Sequence, residues 1–199
     1  TNILIKRMVS RSDLKRQVVL TVSESKRLIA MGVAAMPEVR RAMKEGMVVV
    51  ATGTTNAYVL EELWGKRFDK RRYRSGITTP KQPERHPEAH DERIPDVVFR
   101  KGKVAPELDR FSAVGEMGQG DVYLKGANAL DYLRSKAGVL IASPTGGTVG
   151  SVIGSVIGKK INLVIPIGLE KQVYENIDNL HRLAAQEDSK GMTLWPLMG

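Results

Sequence analysis

The sequence contains no cysteine. Disulfides and thiolate catalysis are thereby excluded, and a zinc ion would have only nitrogen and oxygen ligands. The established nucleotide fingerprints are also missing: no G-x-x-x-x-G-K-[ST] occurs, and no G-x-G-x-x-G opens a helix after a strand. ATP and NAD therefore lose support, and no cofactor is expected. Zinc-finger spacing, an RNP-like aromatic strand and an obvious reading helix are lacking as well. This argues against nucleic acid as a partner, despite a net charge of +9 and a pI near 9.8. The N-terminus shows no basic-then-apolar signal pattern, and Thr1 in place of an initiator Met suggests a trimmed start. The apolar stretch 138 to 168 is interrupted by Pro144, Thr145, Thr148, Asn162 and the pair Lys159-Lys160. Those interruptions argue against a membrane span, and the composition fits a reducing cytoplasm.

What is present suits one domain over 1–199, long enough to bury a proper core, with a long basic, proline-rich excursion at about 65–95. The positive charge favours an anionic partner. Basic residues crowd "KRFDKRRYR" (66 to 74), which reads as a solvated surface or a contact between like subunits in a homo-oligomer. Within the excursion, "HPEAH" sets His86 and His90 four apart, but Pro87 and its neighbours favour a loop, so no metal site is expected.

Strand and helix signals alternate. Ser23 reads as the N-cap of a helix with Leu28, Met31 and Ala35 on one face, Pro37 as the opening of a second helix, and Gly46 as its close. "MVVVA" (47 to 51) is a continuous β-branched run, expected to be a strand covered on both faces. "DVVFRKGKVA" (96 to 105) predicts a hairpin turning at Lys101-Gly102. "VYLKG" (122 to 126) predicts a strand, "ANALDYLRSKAG" a helix, "VLIAS" (139 to 143) a strand, and "VGSVIGSVIGKK" a helix. "INLVIPIG" (161 to 168) follows as a strand, then a helix with Val173, Ile177, Leu180 and Ala184 on its apolar face. The pattern predicts an α/β fold with a largely parallel sheet and helices on both faces, whose ligand binds beyond the carboxyl ends of the strands.

Three loops follow predicted strands: "ATGTTN" (51 to 56), "SPTGGT" (143 to 148) and "PIGLEK" (166 to 171). Each is expected to bring backbone N–H groups and a helix dipole to the same edge, making a common anion pocket. In the first, Gly53 lets the backbone approach a ligand, while Thr52, Thr54, Thr55 and Asn56 offer short side-chain hydrogen bonds. A simpler reading makes Thr55 or Asn56 a helix cap. Thr145, Gly146, Gly147 and Thr148 in the second loop, and Gly168 and Lys171 in the third, are further candidates. "GEMGQGDVYLKGANALD" (115 to 131) adds Glu116, Asp121, Lys125, Gly126, Asn128 and Asp131. Lys125 ends a predicted strand, where its cation could stabilise an enediolate oxyanion or pair with phosphate, and a nearby carboxylate could move the proton.

With these residues in view, the chain resembles the superfamily of ribose-5-phosphate isomerase type A, glucosamine-6-phosphate deaminase, the sugar-sensing domains of DeoR-type repressors and the CoA-transferases. "VVVATGTTNAYVLEEL" is similar to the isomerase's strand, G-T-G-S-T loop and helix, with Thr52, Gly53, Thr54, Thr55 and Tyr58 in the matching places. "KGANAL" (125 to 130) is similar to its K-G-G-G-G-A-L segment, one residue shorter. The resemblance implies a Rossmann-like fold, a phosphate cradle at 52 to 56 and a role for Lys125 against substrate. The isomerase's D-G-A-D signature is absent, Asp121 occupying the region before the lysine, and Leu133 stands nearest the family's glutamate, leaving Asp131 as the substitute base. The leading expectation is a protein that binds a phosphorylated sugar-like metabolite, with aldose–ketose isomerisation as its activity. The alternatives are a non-catalytic sugar-phosphate sensor, or acyl-CoA chemistry with Glu116 as nucleophile.

Overall fold

The computed structural model describes residues 17–74 and 93–198. Of the expected excursion at about 65–95, residues 75–92, with His86 and His90, lie outside the described residues.

Helix α1 (Val22–Ala35) starts two residues before the position expected from a cap at Ser23. Thr21 is the cap, accepting from the Glu24 amide while Glu24 reaches back to the Thr21 amide, a reciprocal capping box. Its buried face is Ala30 and Val33, whereas Leu28 and Met31 are exposed. Small residues win that face because α1 packs closely on a neighbouring helix as well as on the sheet. Helix α2 (Pro37–Glu45) begins with its proline at the first turn, where a missing N–H costs nothing, and Gly46 caps its end.

Strand β1 (Met47–Val50) is buried along its whole length. Val48 and Val50 face a cluster with Ala30 and Val33 of α1, Val39 of α2 and Leu60 of α3 (Asn56–Trp64). Val49 faces Ala113 and Val114 of α4 (Arg110–Glu116). Helices thus cover both faces, which is why the run is apolar without alternation. β2 (Val97–Arg100) pairs antiparallel with β1 and turns into β3 (Lys103–Val104). The hairpin turns at Lys101 (φ 48°) and Gly102 (φ 76°), both left-handed, as a two-residue hairpin requires.

β4 (Val122–Leu124) and β7 (Asn162–Val164) run parallel to β1, giving a five-stranded sheet of order β3-β2-β1-β4-β7. The sheet is therefore mixed: its β1-β4-β7 half is parallel and its β2-β3 half antiparallel.

The segment predicted as a helix at 127 to 138 is instead a hairpin, β5 (Ala129–Asp131) and β6 (Lys136–Ile141), turning through Ser135 at φ 52°. β6 does not join the main sheet. It pairs antiparallel with β8 (Thr193–Met198), a strand with no counterpart in the sequence reading, to form a separate three-stranded sheet. The expected helix at 149 to 160 is two short ones, α5 (Gly147–Gly150) and α6 (Ile153–Gly158). The last helix is confined to α7 (Ile177–Ala184), capped by Asn176, and its Ile177, Leu180 and Ala184 pack with Val173 against the small sheet as the periodicity foretold.

Candidate functional site

The parallel register Val50↔Leu124 places Ala51 abreast of Lys125, and the Ala51 amide donates to the Leu124 carbonyl. From here the two chains leave the sheet, one into the 52–56 loop and one through Lys125 into β5. Asn56 is fully buried at the start of α3 and ties both together. Its side-chain amide donates to the Ala51 carbonyl at 2.7 Å and the Leu124 carbonyl at 3.1 Å. Asn56 is thus a strut of the loop, and a ligand would meet its backbone rather than its NH2 group.

Two loop amides serve the protein itself. Thr52 N donates to Asp96 Oδ1 at 2.7 Å, and Gly53 N donates to the Tyr73 carbonyl at 3.1 Å. The amides of Thr54, Thr55 and Asn56, at the start of α3, have no acceptor among the described residues. Neither do the buried hydroxyls of Thr52 and Thr55 have a partner there. Unpaired N–H groups at a helix start attract anions through their own polarity and the helix dipole.

Cations surround this opening. Lys26 Nζ of α1 donates to Thr54 Oγ1 at 3.2 Å. Lys171, on a 3-10 turn Leu169–Lys171, donates to the Ala127 carbonyl at 2.5 Å. Burial pushes its ammonium below the ordinary lysine range, and Lys26 nearby pushes the same way. Lys125 donates to the Gly126 carbonyl at 3.0 Å. Burial pushes it down to about 8; the Asp96 carboxylate opposes this, and Lys171 and Arg110 reinforce it. Lys26 thus depresses Lys171, and Lys171 depresses Lys125, a crowding of positive charge that an anion would relieve.

Beside them lies an ion pair that the sequence did not single out. Arg110 Nε sits 2.5 Å from Asp96 Oδ2, with the carboxylate side chain 3% exposed. The pair forms part of the wall of a cavity of about 560 Å³, with Val97, Val104, Leu108 and Phe111 among its lining. Tyr73 accepts from the Val97 amide and donates to the Val50 carbonyl, fastening the described start of the excursion to β1 and β2. The signal for Asp96 was a carboxylate just before an apolar strand. Only the antiparallel pairing of β2 with β1 brings it to the carboxyl edge, and one strand's residues do not announce their direction.

The expected carboxylates lie elsewhere. Asp121 precedes β4 at its amino end, where Oδ1 accepts from Met47 N at 2.7 Å and Oδ2 from Gly118 N at 2.8 Å. Four residues of extended chain, roughly 13 Å, separate it from Lys125. Glu116 is at the same amino side, paired with Arg100 at 2.5 Å and half exposed. Asp131 belongs to the small sheet, where burial would raise its pKa but hydrogen bonds from the Arg134 backbone and side chain hold it below the ordinary range. None of the three faces Lys125, so the expected proton shuttle corrects to three structural acids. Replacing Asp121 with alanine strands two amides and is expected to cost about 1–3 kcal/mol. Urea unfolding checks this.

The common pocket of three loops is also corrected. Residues 143–148 follow a strand of the small sheet, and none of their hydrogen bonds among the described residues reaches the 52–56 loop. Thr145 is bound to Ser143 at 3.0 Å, and Gly146 is required because a Cβ there would meet Gly150 Cα at 2.8 Å. Gly147 and Thr148 open α5. Asn128 bridges the β5–β6 hairpin through the Leu140 amide. Gly168 begins the turn that delivers Lys171, so the third loop does reach the lysine cluster.

Compared with protein-family models, curated proteins and solved structures, the chain matches none. The site therefore rests on its own geometry. Among the described residues, no group of three or more His, Asp or Glu could hold a metal, and no helix is long and apolar enough to cross a membrane.

Proposed function

We propose that the protein binds a small phosphorylated, sugar-like metabolite at the carboxyl edge of β1 and β4. The observation that carries this reading is the set of unpaired amides of Thr54, Thr55 and Asn56 beside Lys26, Lys171 and Lys125. A phosphate would take the amides and the Lys26 ammonium, replacing lost water with charge-assisted hydrogen bonds. The Rossmann-like kinship implied by the 47–60 and 125–130 resemblances belongs to this proposal, and the parallel β1-β4-β7 half supports it.

Of the activities the resemblance implies, non-catalytic sensing has the better support. Aldose–ketose isomerisation needs a base beside the carbon acid, and Asp96, the carboxylate that acts on Lys125 among the described residues, is occupied by Arg110 and the Thr52 amide. The CoA-transferase reading needs a free Glu116, and Arg100 holds it at the other edge.

Calorimetric titration with ribose 5-phosphate, ribose and inorganic phosphate tests the binding. Ribose 5-phosphate is expected to bind and ribose not to, and Lys26→Gln to weaken binding roughly 10–100-fold through one lost charged hydrogen bond. Equal affinity for ribose and its phosphate would overturn the reading.

A further inference from the structure

We propose that Lys125 captures a carbonyl ligand covalently, as a reversible imine with a phosphorylated aldehyde or ketone whose phosphate rests on the Thr54–Asn56 amides. The proposal rests on the anion-binding reading above and adds the ligand's second functional group.

Placement is the first support. Lys125 stands abreast of Ala51, one strand spacing of about 5 Å from the chain that enters the amide cradle. Its backbone is fixed from both sides, since Lys125 N donates to the Val164 carbonyl and the Leu124 carbonyl is held by Ala51 and Asn56. The strand end that carries the amine is therefore rigid, and its backbone lies beside the chain that enters the cradle.

Its partners are the second support. Among the described residues, the one hydrogen bond of Lys125 Nζ goes to a neutral carbonyl, that of Gly126. No carboxylate forms an ion pair with it among the described residues. Asp96, the acid near enough to influence it, is committed to Arg110 and the Thr52 amide. A structural lysine in such surroundings would be expected to have a counter-ion. This one has Lys171 and Arg110 instead, and neighbouring cations together with desolvation are how an amine nucleophile is activated. With its pKa near 8, roughly a fifth of the amine is neutral at pH 7.4, against about a thousandth for an ordinary lysine.

The step is redox-neutral. The Nζ lone pair attacks the carbonyl carbon while the carbonyl π electrons move to oxygen, and a proton passes from nitrogen to that oxygen. The resulting carbinolamine takes up a second proton on its hydroxyl and expels water, leaving a protonated imine. The iminium is a fixed cation facing the phosphate, and hydrolysis by the same water releases the ligand unchanged.

The full chain incubated with glycolaldehyde phosphate and sodium cyanoborohydride tests this. Peptide mass mapping should place the two-carbon adduct on Lys125 at least about tenfold above any other lysine. Unphosphorylated glycolaldehyde should lose that preference, and inorganic phosphate should suppress it competitively. Lys125→Arg should abolish the adduct, and Lys171→Gln should lower its yield at pH 7.4 and restore it at pH 9, by returning the amine toward its ordinary basicity. Label spread evenly over surface lysines, or centred on Lys26 or Lys171, overturns the imine. If ribose 5-phosphate binds in the calorimeter while Lys125 stays unlabelled, the imine alone falls. If it does not bind and no selective label forms, both readings fall.

Discussion

Asp96→Ala is expected to cost about 3–5 kcal/mol of stability, the usual loss when one partner of a buried ion pair is removed. The alanine leaves Arg110, itself 22% exposed, without its counter-ion, and leaves the Thr52 amide without its acceptor. Two penalties fall on one substitution because the carboxylate uses one oxygen for each. In a chain of 199 residues a loss of that size lowers Tm by roughly 10 °C. The double variant Asp96→Asn with Arg110→Met separates the contributions. Asparagine keeps an acceptor for Thr52, and methionine removes the stranded charge, so much of the stability should return. Urea unfolding of Asp96→Ala within 1 kcal/mol of wild type, on the order of a surface substitution, would remove the pair from any structural role.

Lys125→Met should act in the opposite sense, stabilising the fold by about 1–3 kcal/mol at neutral pH while abolishing ligand capture. The upper figure corresponds to lowering a lysine from its ordinary 10.5 to about 8; the side chain's residual contact with water reduces it. The pH dependence follows from the same numbers. Below pH 8 both folded and unfolded chains carry the proton, and the folded state bears the full cost of the desolvated charge. Between about 8 and 10.5 the unfolded chain binds the proton more, so wild-type stability rises with pH through that window. The advantage of Lys125→Met should therefore be greatest below pH 8 and fade by about pH 10.5. A variant less stable than wild type at pH 7 would show that Lys125 is held there by packing and not by function.

Local chemistry was legible where neighbours in sequence are also neighbours in space. Pro37 at the start of α2, the Lys101-Gly102 hairpin and the Ile177, Leu180 and Ala184 face each depend on residues within one or two turns. The 127–138 segment misled because it carries helix formers, yet Asn128, Asp131 and Ser135 suit a hairpin, and pairing with a strand near the C-terminus decides between the two. Propensity differences of this kind are well under 1 kcal/mol per residue, so a ladder to β8 overrides them. The site shows the same limit. The 52–56 loop and Lys125 were identifiable as candidates from strand endings alone, but Asp121 and Glu116, four and nine residues before Lys125, also looked near it along the chain. Extended backbone carries near sequence neighbours to opposite ends of a strand.

The sequence by itself determined the buried strand β1, the start of α2, the absence of thiol chemistry and a positively charged chain with a glycine–threonine loop behind a β-branched run. Tertiary structure alone decided which strands share a sheet, that Asp96 and Arg110 arrive beside Lys125, and that Asp121, Glu116 and Asp131 do not. The physical reason is that periodicity and capping report one element's own surroundings, whereas strand direction and order are fixed by hydrogen bonds between elements far apart in the chain.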